Sequence, residues 1–367
     1  MGRPVFDYSV GTPWIITDDM EARVADDIDR LGHRQAADRL QEEMIRRIRS
    51  DPHYRDRLKA AYEEAGVNLC SVTLIGRDSS IDYAEHLRRD LLRWNARFHH
   101  LEWLTLVTGP TSARETADSG EVGIVLNTQH LGAAIGDDLD EIDRLYNGGL
   151  RIAQLTYNSQ NRLGTGCTDR SDGGLSNFGL AAVERLNRRE MIIDLSHCGH
   201  RTTLDAIDRS TDPVAVTHAS CASVADHDRA KSDEVLERLA ETDGYFGVVG
   251  VPAFLDPSGM DGSFDAFFNH LDHAISVVGP DRVGIGTDFR ALDTDYPDAL
   301  VPGVEAMLAD AGFREEHGVD VANGFGEMRR YADFHRLKSA IDDRYDNELA
   351  DGILSENFLA FWERVAG

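Results

Sequence analysis

Two histidines and an aspartate stand where short apolar runs end. His197 follows Ile-Ile-Asp-Leu-Ser, His218 follows Val-Ala-Val-Thr, and Asp288 follows Val-Gly-Ile-Gly-Thr. Two neutral imidazoles and a carboxylate form a ligand set for a divalent cation. A cation with three protein ligands keeps an open position where water can be activated for hydrolysis. Each residue also has a plainer reading. A histidine behind a buried strand can serve as a hydrogen-bonding group on a barrel rim, and Asp288 can cap the helix that follows. The combination favours the ligand reading, because consecutive strands would bring these ends to one mouth. Other polar residues hold similar places: Gln129 and His130 after the third strand, Tyr157 and Asn158 at the end of the fourth. Gln129 reads equally as a hydrogen-bonding core residue or as a contact to substrate or metal. Cys70, within the second strand, reads as a small buried hydrophobe or as a reactive thiol. His99 and His100 lie in a charged helical stretch and read as solvated.

The elements that must position these groups are eight short β-rich runs: 5–8, 68–74, 122–126, 152–157, 191–195, 214–217, 245–251 and 283–287. Most are apolar throughout, as strands buried on both faces should be. Amphipathic stretches at 138–146, 176–188, 201–209, 233–241 and 264–278 separate them, with Ser176 placed to cap the second. Alternation of this kind predicts an α/β fold, a TIM-type (β/α)8 barrel; an open doubly wound sheet is the alternative. A polar helical insertion (17–62) follows the first strand, an irregular insertion (296–326) follows the eighth, and helices at 328–345 and 349–365 close the chain. We read 1–367 as a single barrel domain.

The chain has 367 residues, 65 Asp+Glu and 38 Lys+Arg, for a formal charge of -27. Such a chain repels phosphate backbones and anionic lipid, which excludes nucleic-acid or membrane-surface binding as its main task. Only Lys59, Lys231 and Lys338 are lysines. That bias fits a salt-loving host, whose proteins stay hydrated through surface acid, and equally a GC-rich genome. The four cysteines are scattered, with no CxxC, and fit a reducing compartment. The Gly-rich run 164–174 has no phosphate-loop lysine. No run approaches a membrane span, and residues 1–14 lack a signal-peptide pattern, so the expected address is the cytoplasm.

Several motifs occur in order: Ile-Asp-Leu-Ser-His (193–197), Pro-Val-Ala-Val-Thr-His (213–218), His227-Asp-Arg229 with Asp233, and Gly-Ile-Gly-Thr-Asp-Phe (284–289). Leu-Thr-Tyr-Asn-Ser-Gln-Asn (155–161), Gly-Leu-Ser-Asn-Phe-Gly (174–179), Arg-Leu-Asn-Arg (185–188) and Ser-Glu-Asn-Phe (355–358) accompany them. Over about 122–365 the chain resembles the membrane (renal-type) dipeptidases, peptidase family M19, among the amidohydrolase-like barrels. The resemblance implies a bridged two-zinc centre that splits dipeptides, and a homodimer. It implies that His197 and His218 hold one metal, that Asp288 binds the other and transfers protons, and that Arg229 clamps the substrate carboxylate. A guanidinium fork suits that last role.

The departures carry equal weight. The family opens with Asp-x-His-x-Asp; here Ser9 and Gly11 stand at the His and second Asp. Gln129 replaces the bridging Glu, Tyr157 replaces a substrate-facing His, and Arg290 replaces the Asp after Phe289. These losses point to one zinc ion on His197, His218 and Asp288, with Gln129 or His130 as further candidate ligands, rather than a bridged pair. The expected activity is hydrolysis of a C–N bond in a dipeptide or small N-substituted amino acid, with Asp288 as base and Arg229, Tyr157, Gln129 and Asn158 facing the substrate. The alternatives are elimination, isomerisation or other C–N cleavage on a small carboxylate metabolite, involving Cys70, and a non-catalytic, metal-free homologue.

Overall fold

The computed structural model describes residues 3–9, 15–74, 83–256, 262–289, 293, 297–320 and 324–367. Ten strands occur in chain order: β1 (Phe6–Ser9), β2 (Leu69–Thr73), β3 (Leu104–Leu106), β4 (Val122–Thr128), β5 (Leu150–Gln154), β6 (Ile192–Asp194), β7 (Ala215–Cys221), β8 (Ala230–Lys231), β9 (Tyr245–Val248) and β10 (Val283–Ile285). Eight form a parallel path, β1-β2-β4-β5-β6-β7-β9-β10, while β3 pairs β4 and β8 pairs β7 at its side. The last strand returns to the first: Asp288 N–H donates to Tyr8 O at 3.0 Å. With helices packed around it, this is a nearly closed barrel of the (β/α)8 type, as the alternation predicts.

The eight predicted runs coincide with the eight barrel strands, with ends that differ by up to four residues in either direction. The fourth ends at Gln154, so Tyr157 and Asn158 lie in the loop beyond it. The sixth continues to Cys221, so His218 sits within β7 rather than after it. The short strands β3 and β8 are additions. So is the helix Val301–Asp310, inside the stretch read as irregular. The helices Asp233–Glu241 and Phe264–Val278 match their predicted bounds. Ser176 caps its helix by accepting from Gly179 N at 2.9 Å. The insertion after β1 forms three helices, Asp18–Leu31, His33–Ser50 and Pro52–Ala65. The third starts with Asp51 accepting from His53 N at 3.0 Å.

Inward and outward residues alternate along each strand and separate two buried clusters. The inner one takes Phe6, Leu69, Val125, Ile152, Ile192, Ala215 and Tyr245 from successive strands and is plugged by Phe358, Phe361 and Trp362 of the C-terminal helix. Phe6 and Phe358 stack with centroids 3.8 Å apart. The Ser-Glu-Asn-Phe motif anchors this plug, since Ser355 Oγ donates to Pro4 O at 2.8 Å and Asn357 Nδ2 donates to Val283 O at 2.7 Å. The plug fills the N-terminal end of the barrel and leaves the C-terminal mouth for chemistry. Among the described residues no helix is long and apolar enough to cross a membrane.

Candidate metal-binding site at the barrel mouth

His197 in the loop after β6, His218 on β7 and Asp288 after β10 converge. One ligand-type atom from each lies within 4.8 Å of the others. The two Nε2 atoms face each other at 3.0 Å. Two nitrogens on a tetrahedral zinc, each about 2.0–2.1 Å from it, lie roughly 3.3 Å apart, so the spacing is close to that of a shared ion. Each Nδ1 is anchored from behind: Asn158 Oδ1 lies 2.6 Å from His197 Nδ1, and Thr217 Oγ1 lies 2.8 Å from His218 Nδ1. If both Nδ1 atoms carry the proton, two lone pairs point at each other across 3.0 Å, an arrangement a cation relieves. In a metal-free chain the same atoms are satisfied differently. Thr217 O–H donates to His218, His218 Nε2–H to His197, and His197 Nδ1–H to Asn158.

Burial first, then the charge of Arg229, holds both imidazoles well below the usual histidine range, which keeps them in the neutral form that ligates metal. Asp288 has a left-handed backbone, φ 51°. Its Oδ1 is buried with no hydrogen-bond partner. Burial pushes its carboxyl up to about 7 against the lowering effect of Arg229, while Asp7 and Asp194 add to the rise.

Gln129 lies beside this trio. Its Nε2 is 3.4 Å from His218 Nε2. Tyr157 stacks on the His197 ring at 4.2 Å. Asn158 is buried at φ 56° with its Oδ1 committed to His197. His130 stands at the start of the helix Leu131–Ile135, edge-on to Tyr83, and is not one of the three grouped ligands. Cys70 is buried in the apolar layer, 3.6 Å from the Tyr331 hydroxyl, and is likewise outside that group. Arg229 is fully buried, its Nη1 donating to Ser196 O and its Nη2 to His218 O at 2.9 Å. The backbone of Ser9 lies in β1; Gly11 and Arg290 fall outside the described residues.

Sequence reasoning missed a second layer of buried polar residues beneath these. Asp194 Oδ1 accepts from Ser196 Oγ at 2.6 Å and from Thr217 N at 3.0 Å. Asp7 accepts from Thr287 N and Oγ1, both at 3.1 Å, and burial pushes its carboxyl up to about 6. Tyr8 stacks on His218 at 4.7 Å and donates to Asn127 Oδ1 at 2.8 Å. Their signal was present: Asp7 and Asp194 are charged residues inside otherwise apolar strand runs, which demands a buried partner.

The chain is thus a parallel eight-stranded barrel with two histidines and an aspartate at its C-terminal mouth. Solved structures agree on the fold. An amidohydrolase from Pseudomonas aeruginosa aligns over 100% of this chain and 97% of its own, with TM-score 0.76 and 23% identity. The dipeptidase AC, a metallopeptidase of family M19, aligns over 100% of both chains with TM-score 0.72 and 19% identity. The family model for membrane dipeptidase (peptidase family M19) matches residues 87–317, more than half of the sequence, and the chain belongs to that family. Two uncharacterized dipeptidases of Schizosaccharomyces pombe are similar to it. One is 31% identical over 52% of this chain and 49% of its own, the other 32% over 58% and 56%. The chain thus matches about half the length of these curated relatives.

Proposed function

We propose that the protein is a metal-dependent hydrolase that cleaves the C–N bond of a dipeptide or a small N-substituted amino acid, with one metal ion held by His197, His218 and Asp288. The observation that carries this reading is the facing pair of Nε2 atoms at 3.0 Å beside the unpartnered, buried Oδ1 of Asp288. Two imidazole nitrogens and one carboxylate oxygen suit zinc, and three protein ligands leave a position open. Among the described residues one such group of ligands occurs, and the neighbouring Gln129 is a neutral amide, so the donor set supports a single ion.

When bound, the ion supplies Lewis acidity that polarises the amide carbonyl or makes water a nucleophile at neutral pH. The chain's own groups do the rest. Asp288, beside both histidines at the mouth, accepts the proton of the attacking water and returns it to the leaving amine. In this reading the Tyr157 hydroxyl and the Gln129 amide donate to the developing oxyanion, supported by the Tyr157 ring stacking on His197 and by Gln129 Nε2 lying 3.4 Å from His218 Nε2. Asn158 fixes the His197 tautomer through the bond at Nδ1, so that Nε2 offers its lone pair to the ion.

The test is metal content of protein purified without chelator, together with amino-acid release from a panel of dipeptides and N-acyl amino acids. About one zinc per chain and release abolished by His197→Ala is the expected result. Metal-free protein with no release from any member of the panel overturns the reading and leaves a binder or a different chemistry.

A further inference from the structure

We infer that residues 312–317 form a releasable clasp across the barrel mouth, with Asp228 as its catch, and that the clasp limits substrates to the length of a dipeptide. The limit on length rests on the hydrolase reading above; the clasp itself does not. The segment follows β10, yet its contacts are with loops that follow β5, β7 and β9. An added Cβ on Gly312 would lie 2.6 Å from Ser159 Oγ and 2.8 Å from Thr168 Oγ1, both in the loop after β5. The next residue, Phe313, stacks on Phe254 after β9 with centroids 6.0 Å apart. β5 and β9 stand three places apart in the ring, so adjacent residues reach both loops only where these meet over the mouth. The proposed chemistry lies just beneath. The same added Cβ would be 3.5 Å from Asn158 Cβ, and Asn158 Oδ1 holds His197 Nδ1.

The catch ties three loops together. Asp228 Oδ2 accepts from His317 Nε2 at 3.0 Å and from Arg314 Nη2 at 3.1 Å, while Arg314 Nη1 donates to Thr168 O at 3.0 Å. His317 Nδ1 accepts from Arg314 N at 2.8 Å, which places the proton of the neutral ring on Nε2, toward Asp228. Phe313 and His317 are the buried anchors. The remainder is held loosely. The Arg314 and Asp228 side chains are 46% and 43% exposed, and exposed ion pairs contribute little. The helix Val301–Asp310 leading into the clasp is mostly apolar yet buries none of its residues. A segment with few buried contacts and exposed polar ties opens locally without unfolding the barrel. Closed, it walls off the Asn158 side of the site, and Gly312, at φ 95° and without a side chain, lets the backbone come this close. Each further residue of an extended substrate needs about 3.3–3.6 Å more room, which that wall denies.

Asp228→Ala and Arg314→Gln test this, each checked for cooperative melting; Arg314→Gln, at an exposed side chain, carries the comparison if the other variant fails to fold. Hydrogen exchange by mass spectrometry follows 301–317. Labelling of Cys167 by a small and by a bulky maleimide gauges the opening without turnover, since its Sγ lies 3.5 Å from Asn158 Oδ1 and Cys70, Cys198 and Cys221 are buried. Turnover is compared on a dipeptide and on the tripeptide one residue longer. In Asp228→Ala, exchange over 301–317 should quicken about tenfold, the scale of a lost charge-assisted bond, with the barrel strands unchanged. In Arg314→Gln it should quicken about two- to fivefold, as for an exposed pair. The ratio of bulky to small labelling should rise in both, and the tripeptide-to-dipeptide ratio of kcat/KM should rise with it. Unchanged exchange overturns the clasp. Faster exchange with both ratios unchanged overturns the limit on length. If the parent protein cleaves neither peptide, the hydrolase reading fails, and exchange and labelling still decide whether the clasp gates the mouth by size.

Discussion

Replacing Asn158 separates its two contributions. The residue sits at φ 56° and its Oδ1 holds His197 Nδ1 at 2.6 Å. Asn158→Gly removes the side chain but tolerates the backbone, whereas Asn158→Ala removes the side chain and resists it. Losing the bond leaves a buried imidazole N–H unsatisfied, at a cost of about 1–3 kcal/mol in both variants. The left-handed conformation costs alanine a further 1–2 kcal/mol, roughly. Glycine's greater freedom in the unfolded chain offsets about 0.5–1 kcal/mol of that difference, so alanine should fall about 0.5–1 kcal/mol below glycine. Urea unfolding of the chelator-treated proteins measures this difference. Zinc affinity, measured by competition with a chromophoric chelator, should drop about 10- to 100-fold and equally in both, because the lost bond is the same. If the glycine variant binds zinc within threefold of the parent, the tautomer-fixing role is wrong. If alanine is as stable as glycine, the backbone argument is wrong.

Two further outcomes follow from the same coordinates. A Cβ on Gly286 would lie 2.0 Å from Thr217 O and 3.2 Å from His218 Cβ, so Gly286→Ala must displace the backbone beneath the site. The loss should be about 3 kcal/mol or more, read as a lower urea midpoint, and an unchanged midpoint would refute the packing argument. Burial holds His227 down to about 4, and its Nδ1 accepts from Arg229 N, a bond the protonated ring cannot make. Its folded value lies below the ordinary 6.5, so the unfolded chain binds the extra proton. The stability it contributes is complete above about pH 6.5 and is lost as pH falls through about 4. The part-exposed ring makes this about 2 kcal/mol. In His227→Gln the slope of stability against pH between 6.5 and 4 should flatten, and an unaltered slope would refute the assignment.

The eight barrel strands were legible because strands covered on both faces must be apolar throughout, and runs such as 122–126 and 191–195 show it. The strands β3 and β8 were not, since three and two residues are too few to leave a pattern. The helix Val301–Asp310 escaped because it contains Pro302 and Gly303 and buries none of its residues, so no amphipathic face is written in it. His197, His218 and Asp288 were legible because apolar runs that close on a polar residue predict convergence, and this survives the finding that His218 lies inside β7. Asp7 and Asp194 announce a need for buried partners as charges inside apolar runs, but the partners of Asp7 and Tyr8 lie 280 and 119 residues away, so only closure of the ring identifies them. The single registered pair between β6 and β7 and the full burial of Arg229 leave no mark in composition at all.

The seam between β10 and β1 gives the barrel a dependence on the order of synthesis. Asp288 and Thr287 bond to Tyr8 and Asp7, and the plug residue Phe358 stacks on Phe6. The first strand therefore waits, unpaired on one edge, until residues some 280–350 positions later have emerged. At about 5–20 residues per second that wait is on the order of tens of seconds. During it the site does not exist, because Asp288 is both a ligand candidate and the staple that shuts the ring. A nascent chain thus carries an open strand edge, and His197, His218 and Asp288 are not gathered at one mouth until the strand that holds Asp288 has emerged.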